Sequence, residues 1–328
     1  MLRRMLRIPH VLAAFIAAIC LGTGNLAFAQ SFPTKPVRIV VPFPPGGTSD
    51  FLARVLTPDL TQLLGQQVIV ENRPGASGNI AAEMVAKSPP DGHTMLLATV
   101  GMLCIAPHLS TKLPYDPMRD FAPVTEVAAG SLWLVVGNSV PAKSVTELIA
   151  LAKAQPGKLN YASPGLGQAT SLTFELFKAM ADIDVVTVHY KGNGPALNDV
   201  LGGQAGIYVT PTPGEVLPHV KAGRLRLLGV SSSKRWPSMP DVPTVDESGL
   251  KGFDVSTWNG LVAPANTPQS NIALLHRELA KVIPKVQDRV ATHGMFVVGS
   301  TPEQFGAKMR ADSERWAPLI KRLGIKLD

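Results

Sequence analysis

The chain has 328 residues, 45% of them hydrophobic and 17% charged, with a formal net charge of +7. Its basic residues are scattered without a run or stripe, which argues against a nucleic-acid surface, and so mild a positive balance favours anionic solutes only weakly. Of its two cysteines, Cys20 lies in an apolar leader and Cys104 is left alone. No internal disulfide is expected, so a large apolar core must hold the fold.

Arg3, Arg4 and Arg7 open the chain, Val11 to Leu21 is an unbroken apolar run, and Ala27-Phe28-Ala29 supplies small residues before Gln30. That order is the pattern of a secretory signal peptide. A membrane anchor would need about 20 apolar residues, and Ile19 and Leu21 flank Cys20 where a lipoprotein signal would have small side chains. Residues 1–29 are expected to be removed, and no later apolar segment is long enough to cross a membrane. The remainder suits two domains of about 150 residues better than one.

Val37 to Val41 is a predicted strand, followed by Pro42-Phe43-Pro44-Pro45-Gly46-Gly47. A helix is predicted to open near Thr48-Ser49-Asp50, with Thr48 or Ser49 as its cap and Leu52, Val55 and Leu56 as its buried stripe. Pro58 should kink that helix against the carbonyl of Arg54. Predicted strands at 68–70 and 94–98 bracket a helix at 80–86. The alternation continues with strands at 132–136, 161, 185–188, 207–209 and 226–230, and with helices at 144–154, 168–180 and 193–201. Such repeated βα units imply parallel sheets with helices on both faces. Further on, strands are expected at 261–263 and 296–298 and a helix from Pro268 to about Pro284. A last helix is capped at Thr301 with Pro302 in its first turn, and Phe305, Met309, Trp316, Leu319 and Leu323 form its core stripe.

Four glycine loops between strands and helices carry the chemistry. In Phe43, Pro45, Gly46, Gly47, Thr48, Ser49 and Asp50, a glycine pair lets the backbone turn sharply and present amides at a helix N-terminus, where an anion is favoured. The second runs from Asn72 to Asn79. There the amides of Ala76, Ser77 and Gly78 are better candidates than Arg73, whose surroundings suit a loop brace. The third, Ser163-Pro164-Gly165-Leu166-Gly167-Gln168-Ala169-Thr170, holds a G-x-G with Asp184 further on. Thr170 stands where a dinucleotide loop has its third glycine, and Asp184 precedes a strand instead of ending one. The fourth offers Tyr190 with its hydroxyl and flat face, and Lys191, read as a solvated charge. Thr99 and Thr210 complete the candidate ligand-binding set.

No nucleophile elbow, Walker loop or H-E-x-x-H occurs, and no histidine has a partner at metal-ligand spacing. Cys104 reads as a small core residue. No catalytic residue, metal or cofactor is assigned, so binding is favoured over turnover.

Several segments, in order, carry a family likeness. They are Val41-Pro42-Phe43-Pro44-Pro45-Gly46-Gly47, Glu71-Asn72-Arg73-Pro74-Gly75-Ala76-Ser77-Gly78-Asn79, Pro156-Gly157-Lys158-Leu159-Asn160-Tyr161, Tyr190-Lys191-Gly192 and Leu201-Gly202-Gly203-Gln204. Lys221-Ala222-Gly223-Arg224-Leu225-Arg226, Pro240-Asp241-Val242-Pro243-Thr244-Val245, Thr257-Trp258-Asn259-Gly260 and Gly324-Ile325-Lys326 follow. With these the chain resembles the Bug-type extracytoplasmic solute receptors of tripartite tricarboxylate transporters. The resemblance implies a two-lobed periplasmic-binding-protein-like fold of type II, an α/β arrangement in which each lobe is a mainly parallel sheet flanked by helices and two crossovers join the lobes. Lobe one would comprise 30–125 and 255–328, and lobe two 126–254. It further implies a monomeric periplasmic receptor without cofactor. One carboxylate of a small organic acid would sit on the loops at 43–50 and 76–78, and lobe two would close over the rest through 163–170 and Tyr190. The partners would be that solute and the transporter's membrane permease subunits. A sensor subunit serving a membrane kinase, or an enzyme acting on a carboxylate, are the rival readings. Gly206 replaces an Asp common among relatives. Val100, Met102 and Ala106 replace polar residues after Thr99; if they line the cleft, an aromatic or branched monocarboxylate is expected.

Overall fold

The computed structural model describes residues 32–165, 168–236, 239–324 and 326; the leader and its cleavage point lie outside them, as does Gly167. All strands and helices named here belong to one unit, Lys35–Asp328. Its first sheet is built on β1 (Val37–Val41), whose Val37, Ile39, Val40 and Val41 are fully buried. Arg38 is exposed near its start, and the Ile39-Val40-Val41 run that follows is the continuous β-branched pattern of a strand covered on both faces. β1 pairs in parallel with β2 (Val68–Asn72) and β3 (Thr94–Thr99). Between them run α1 (Thr48–Leu64) and α2 (Asn79–Ala86). α1 continues through Pro58, where a kink was expected, and buries Leu52, Val55 and Leu56 as predicted. A π-helical turn at Gly101–Ile105 leads into the short α3 (Ala106–Leu109).

β4 (Phe121–Ser131), a strand the sequence reading missed, keeps the chain in the first sheet past Thr125. Only Leu132 separates it from β5 (Trp133–Gly137), which belongs to the second sheet. There follow α4 (Val145–Ala154), β6 (Asn160–Ser163), α5 (Ala169–Ala181), β7 (Val186–His189), α6 (Asn193–Leu201), β8 (Ile207–Thr210), α7 (Pro213–Lys221) and β9 (Leu225–Val230). The chain returns to the first sheet at β10 (Ser256–Pro264) and ends with α8 (Gln269–Val282), α9 (Gln287–Ala291), β11 (Met295–Val297) and α10 (Pro302–Leu323). Thr301 and Gln304 form the capping box of α10, with Pro302 in its first turn.

The strand orders are β11-β4-β10-β3-β1-β2 and β7-β6-β8-β5-β9. Both sheets are mixed. The βα units supply the parallel pairs, whereas the strands next to the crossings, β4, β5 and β10, run antiparallel to their neighbours. The crossing segments are bonded to each other: Leu132 N donates to Ser231 Oγ at 2.8 Å, Ser231 N to Leu132 O at 2.9 Å, and Val255 N to Ser231 O at 2.8 Å. The candidate ligand loops follow the carboxyl ends of the parallel strands, the end at which open α/β sheets hold ligands.

Candidate functional site

The loop between β1 and α1 forms the first wall. Gly46 has φ +90°, a conformation that a residue with a β-carbon rarely adopts. Gly47 is the N-cap of α1, extended at φ −82° and ψ 171°. A side-chain cap from Thr48 or Ser49 was expected, but both lie within the first turn and neither caps the helix. With a glycine at the cap, the amides of Thr48, Ser49 and Asp50 keep no hydrogen-bond partner among the described residues. Each is free to donate to an anion, and a bond of that kind contributes about 1.5–3 kcal/mol.

Two side chains hold this loop from behind. Ser49 Oγ donates to Asn259 Oδ1 at 2.7 Å, and Asn259 stands opposite Thr99 in the β10–β3 register. The Asp50 carboxylate turns inward and accepts from Gly46 N at 3.0 Å, Asn72 Nδ2 at 2.9 Å and Arg54 Nε at 3.0 Å. Burial raises the Asp50 pKa, but the bonds from Arg54, Gly46 and Asn72 outweigh it and hold the group at about 2. Asn72 also donates to Phe43 O at 3.1 Å, tying the end of β2 to the loop.

The second loop adjoins the first because β2 pairs with β1, and Arg73 N extends that pairing by donating to Val41 O at 2.8 Å. Gly75, Ala76, Ser77 and Gly78 all have positive φ, at 133°, 46°, 55° and 98°. Holding Ala76 and Ser77 there costs on the order of 1–3 kcal/mol each, a strain that clusters at ligand clamps. Their amides have no partner among the described residues, while Gly78 N closes the turn onto Gly75 O at 2.9 Å. A β-carbon on Gly78 would lie 2.7 Å from the Met102 sulfur and 3.0 Å from Pro42 Cβ, so the loops touch and Met102 backs them. Arg73 braces the loop as expected, its Nε donating to Glu71 Oε1 at 2.6 Å.

The second wall stands at the ends of β6, β7 and β8. Ser163 Oγ bonds to Ser171 Oγ at 2.6 Å and to His189 Nδ1 at 3.1 Å. Gln168 caps α5 through its extended backbone, again without a side-chain bond, and Thr170 is buried with no hydrogen-bond partner for its hydroxyl among the described residues. Tyr190 N donates to Ser163 O at 2.8 Å. The Tyr190 hydroxyl, expected to be open to a ligand, donates instead to Asp199 Oδ2 at 2.7 Å; burial and the bond to that carboxylate push its pKa up to about 12. Thr210 is fully buried and donates to Glu215 Oε1. Lys191 is exposed.

Comparison with known proteins shows the family. Residues 52–325 match the family described as tripartite tricarboxylate transporter family receptor. BugT of Bordetella pertussis is 36% identical over 326 residues, covering 98% of this chain and 99% of that protein. The chain belongs to this receptor family.

Solved structures share its fold, among them the following two. R. palustris Rpa4515, solved with adipate, is 34% identical with a TM-score of 0.80 over 90% of this chain and 99% of that one. MatC from Rhodopseudomonas palustris, with bound malate, is 31% identical with a TM-score of 0.76 over 88% and 100%.

Against the family pattern, Val100 and Met102 are each 2% exposed and pack in the core, so they do not line an open cleft. Gly206 packs against Val140, 2.6 Å from where its β-carbon would lie, and its N–H donates to Asn160 Oδ1 at 2.7 Å. Cys104 is buried and donates to Met309 O at 3.3 Å, and burial raises its pKa, so the thiol is unreactive. Among the described residues no group of three or more His, Cys, Asp or Glu is placed to hold a metal. The sequence reading missed Asn259 and Glu215, whereas His189 opens the fourth glycine segment. A polar residue inside the apolar run Trp258–Pro264 was the signal that could have found Asn259.

Proposed function

We propose that this family member is an exported receptor that holds the carboxylate of a small organic acid on the open amides of Thr48–Asp50 and Ala76–Ser77. Two lobes, divided at the crossings 131–133 and 230–256, close over the acid, and the occupied form presents it to the membrane permease of a tripartite transporter. The reading rests on one observation: α1 opens on a glycine with no side-chain cap, directly beside a left-handed turn whose amides are equally free. Relatives holding adipate and malate support the ligand class. The donors of these loops are backbone amides, and the Ser49 hydroxyl and Asp50 carboxylate are engaged by Asn259 and Arg54, which suits capture and release of an unchanged solute. The signal-peptide pattern at 1–29 supports a periplasmic location.

The test is a thermal-shift screen of the mature chain over small carboxylates, followed by calorimetry and mass analysis of the recovered compound. A ligand at 100 times its Kd should stabilise the folded state by about 2.7 kcal/mol. A chain whose melting temperature no carboxylate raises, or one that returns a chemically altered compound, is not the receptor proposed.

A further inference from the structure

Glu215 stands in the first turn of α7, and its partners fix where it points. Its Oε1 accepts the Tyr208 hydroxyl at 3.0 Å and also the Thr210 hydroxyl. Thr210 is the last residue of β8, and its Oγ1 in turn accepts Thr212 N at 3.0 Å. Among the described residues Oε2 has no partner and no lysine or arginine pairs with the side chain. Burial raises its pKa, and the two hydroxyls only partly offset this. The carboxylate is therefore a half-buried acceptor with one oxygen unused, at the carboxyl end of a parallel strand.

The start of α7 also lies beside the first wall. A β-carbon on Gly294 would stand 1.9 Å from Pro213 Cγ, so only glycine allows that ring to seat on the loop before β11. The neighbouring His293 stacks on Phe51 with ring centroids 3.6 Å apart, and Phe51 follows Asp50 in the first turn of α1. The N-termini of α1 and α7 thus flank one loop, yet they differ electrically. The first-turn acid of α1 is paired with Arg54, leaving open amides to act, whereas the first-turn acid of α7 has no cation and counters its helix dipole.

We propose that Glu215 is a specificity-determining residue that reads the far end of the bound acid. Its free oxygen accepts a hydrogen bond from an O–H or N–H there, and its charge rejects a second carboxylate. This rests on the carboxylate reading above and narrows it to acids with one carboxylate and a donor at the opposite end. Discrimination of this kind uses an attractive and a repulsive element together.

Calorimetry with matched pairs tests it: 4-hydroxybutyrate against succinate, and 6-hydroxyhexanoate against adipate, on wild type and Glu215→Gln. Glutamine keeps an oxygen for Tyr208 and Thr210, and a melting curve verifies the fold. The wild type should prefer the hydroxy acid of at least one pair by about tenfold or more, and Glu215→Gln should narrow that gap to about threefold. A wild type that binds each dicarboxylate as tightly as its hydroxy partner removes the role of Glu215 and leaves the carboxylate reading standing, as does an unchanged gap in the variant. If no acid in this set or in the wider screen binds, both readings fall.

Discussion

The two walls meet the same geometric demand with different materials. At the ends of β1 and β2, the proposed contact groups are backbone amides, and each nearby acid has its own cation: Asp50 has Arg54, and Glu71 has Arg38 and Arg73. At the ends of β6 and β8 they are side-chain hydroxyls, an imidazole and a carboxylate without a cation. A surface of amides on a strained, braced backbone grips any carboxylate and changes little with sequence, because side chains contribute only support. A surface of side chains is reset by single substitutions. The first wall therefore suits a shared grip and the second the identity of the solute.

The largest effect should come from placing a side chain on the first wall. Gly47 has φ −82°, and a β-carbon there would meet nothing closer than Pro44 O at 3.8 Å, so the folded chain tolerates valine. Its methyl groups would occupy the space of the bound carboxylate, so Gly47→Val should weaken binding by well over tenfold, a loss of more than about 1.4 kcal/mol, with little change in melting temperature. An unchanged dissociation constant would take this loop out of the site and dissolve the contrast between the walls.

Next comes the support behind it. Asp50→Ala removes the acceptor for Gly46 N and Asn72 Nδ2, and should cost about 1–3 kcal/mol, seen as a melting temperature several degrees lower at pH 7. The wild type carries its own acid dependence here. The Asp50 pKa falls from 3.8 to about 2 on folding, so its contribution is complete above pH 4 and is lost as pH drops through 2. The gap in melting temperature between wild type and variant should accordingly narrow by roughly half from pH 7 to pH 3. Curves that stay parallel would show that the ionised carboxylate is not what holds the loop.

Much of this was legible beforehand, since β-branched runs and glycine punctuation are local signals. β1, β2, β3 and the helices between them followed from period and breakers, and the four glycine loops proved to be strand-to-helix turns. Contacts distant in sequence were hidden. β4 was missed because Pro123, Thr125 and Glu126 interrupt its apolar pattern, and antiparallel pairing across β10 left no local mark. The cap of α1 was misassigned because Ser49 is a good local cap, yet its hydroxyl is drawn to Asn259, 210 residues away. Tyr190 was read as open because nothing in its own segment discloses Asp199 on α6.

A smaller effect, of opposite sign, should come from the core beneath the second wall. Thr173 is 3% exposed, its hydroxyl has no partner among the described residues, and it lines an apolar cavity with Leu132, Leu134, Phe174, Phe177, Val209 and Phe253. Thr173→Val removes a buried hydroxyl without a partner among the described residues and should stabilise the chain by about 1 kcal/mol. A lowered melting temperature would mean that this hydroxyl has a partner, such as an ordered water, and that the polar network of the second wall reaches deeper than Ser171.

The smallest effect tests the electrical half of the contrast. Lys191 follows Tyr190 at the edge of the second wall and is exposed, and no ion pair or hydrogen bond joins its side chain to another described residue. If the far end of the solute were a second carboxylate held by this lysine, its loss would be severe. If Glu215 faces a donor instead, the lysine charge acts only through solvent, where an exposed pair contributes about 0–1 kcal/mol and salt screens it. Lys191→Met should therefore change the dissociation constant by less than about fivefold at physiological salt. Abolished binding would move the anion grip from the amides of α1 to the opposite wall.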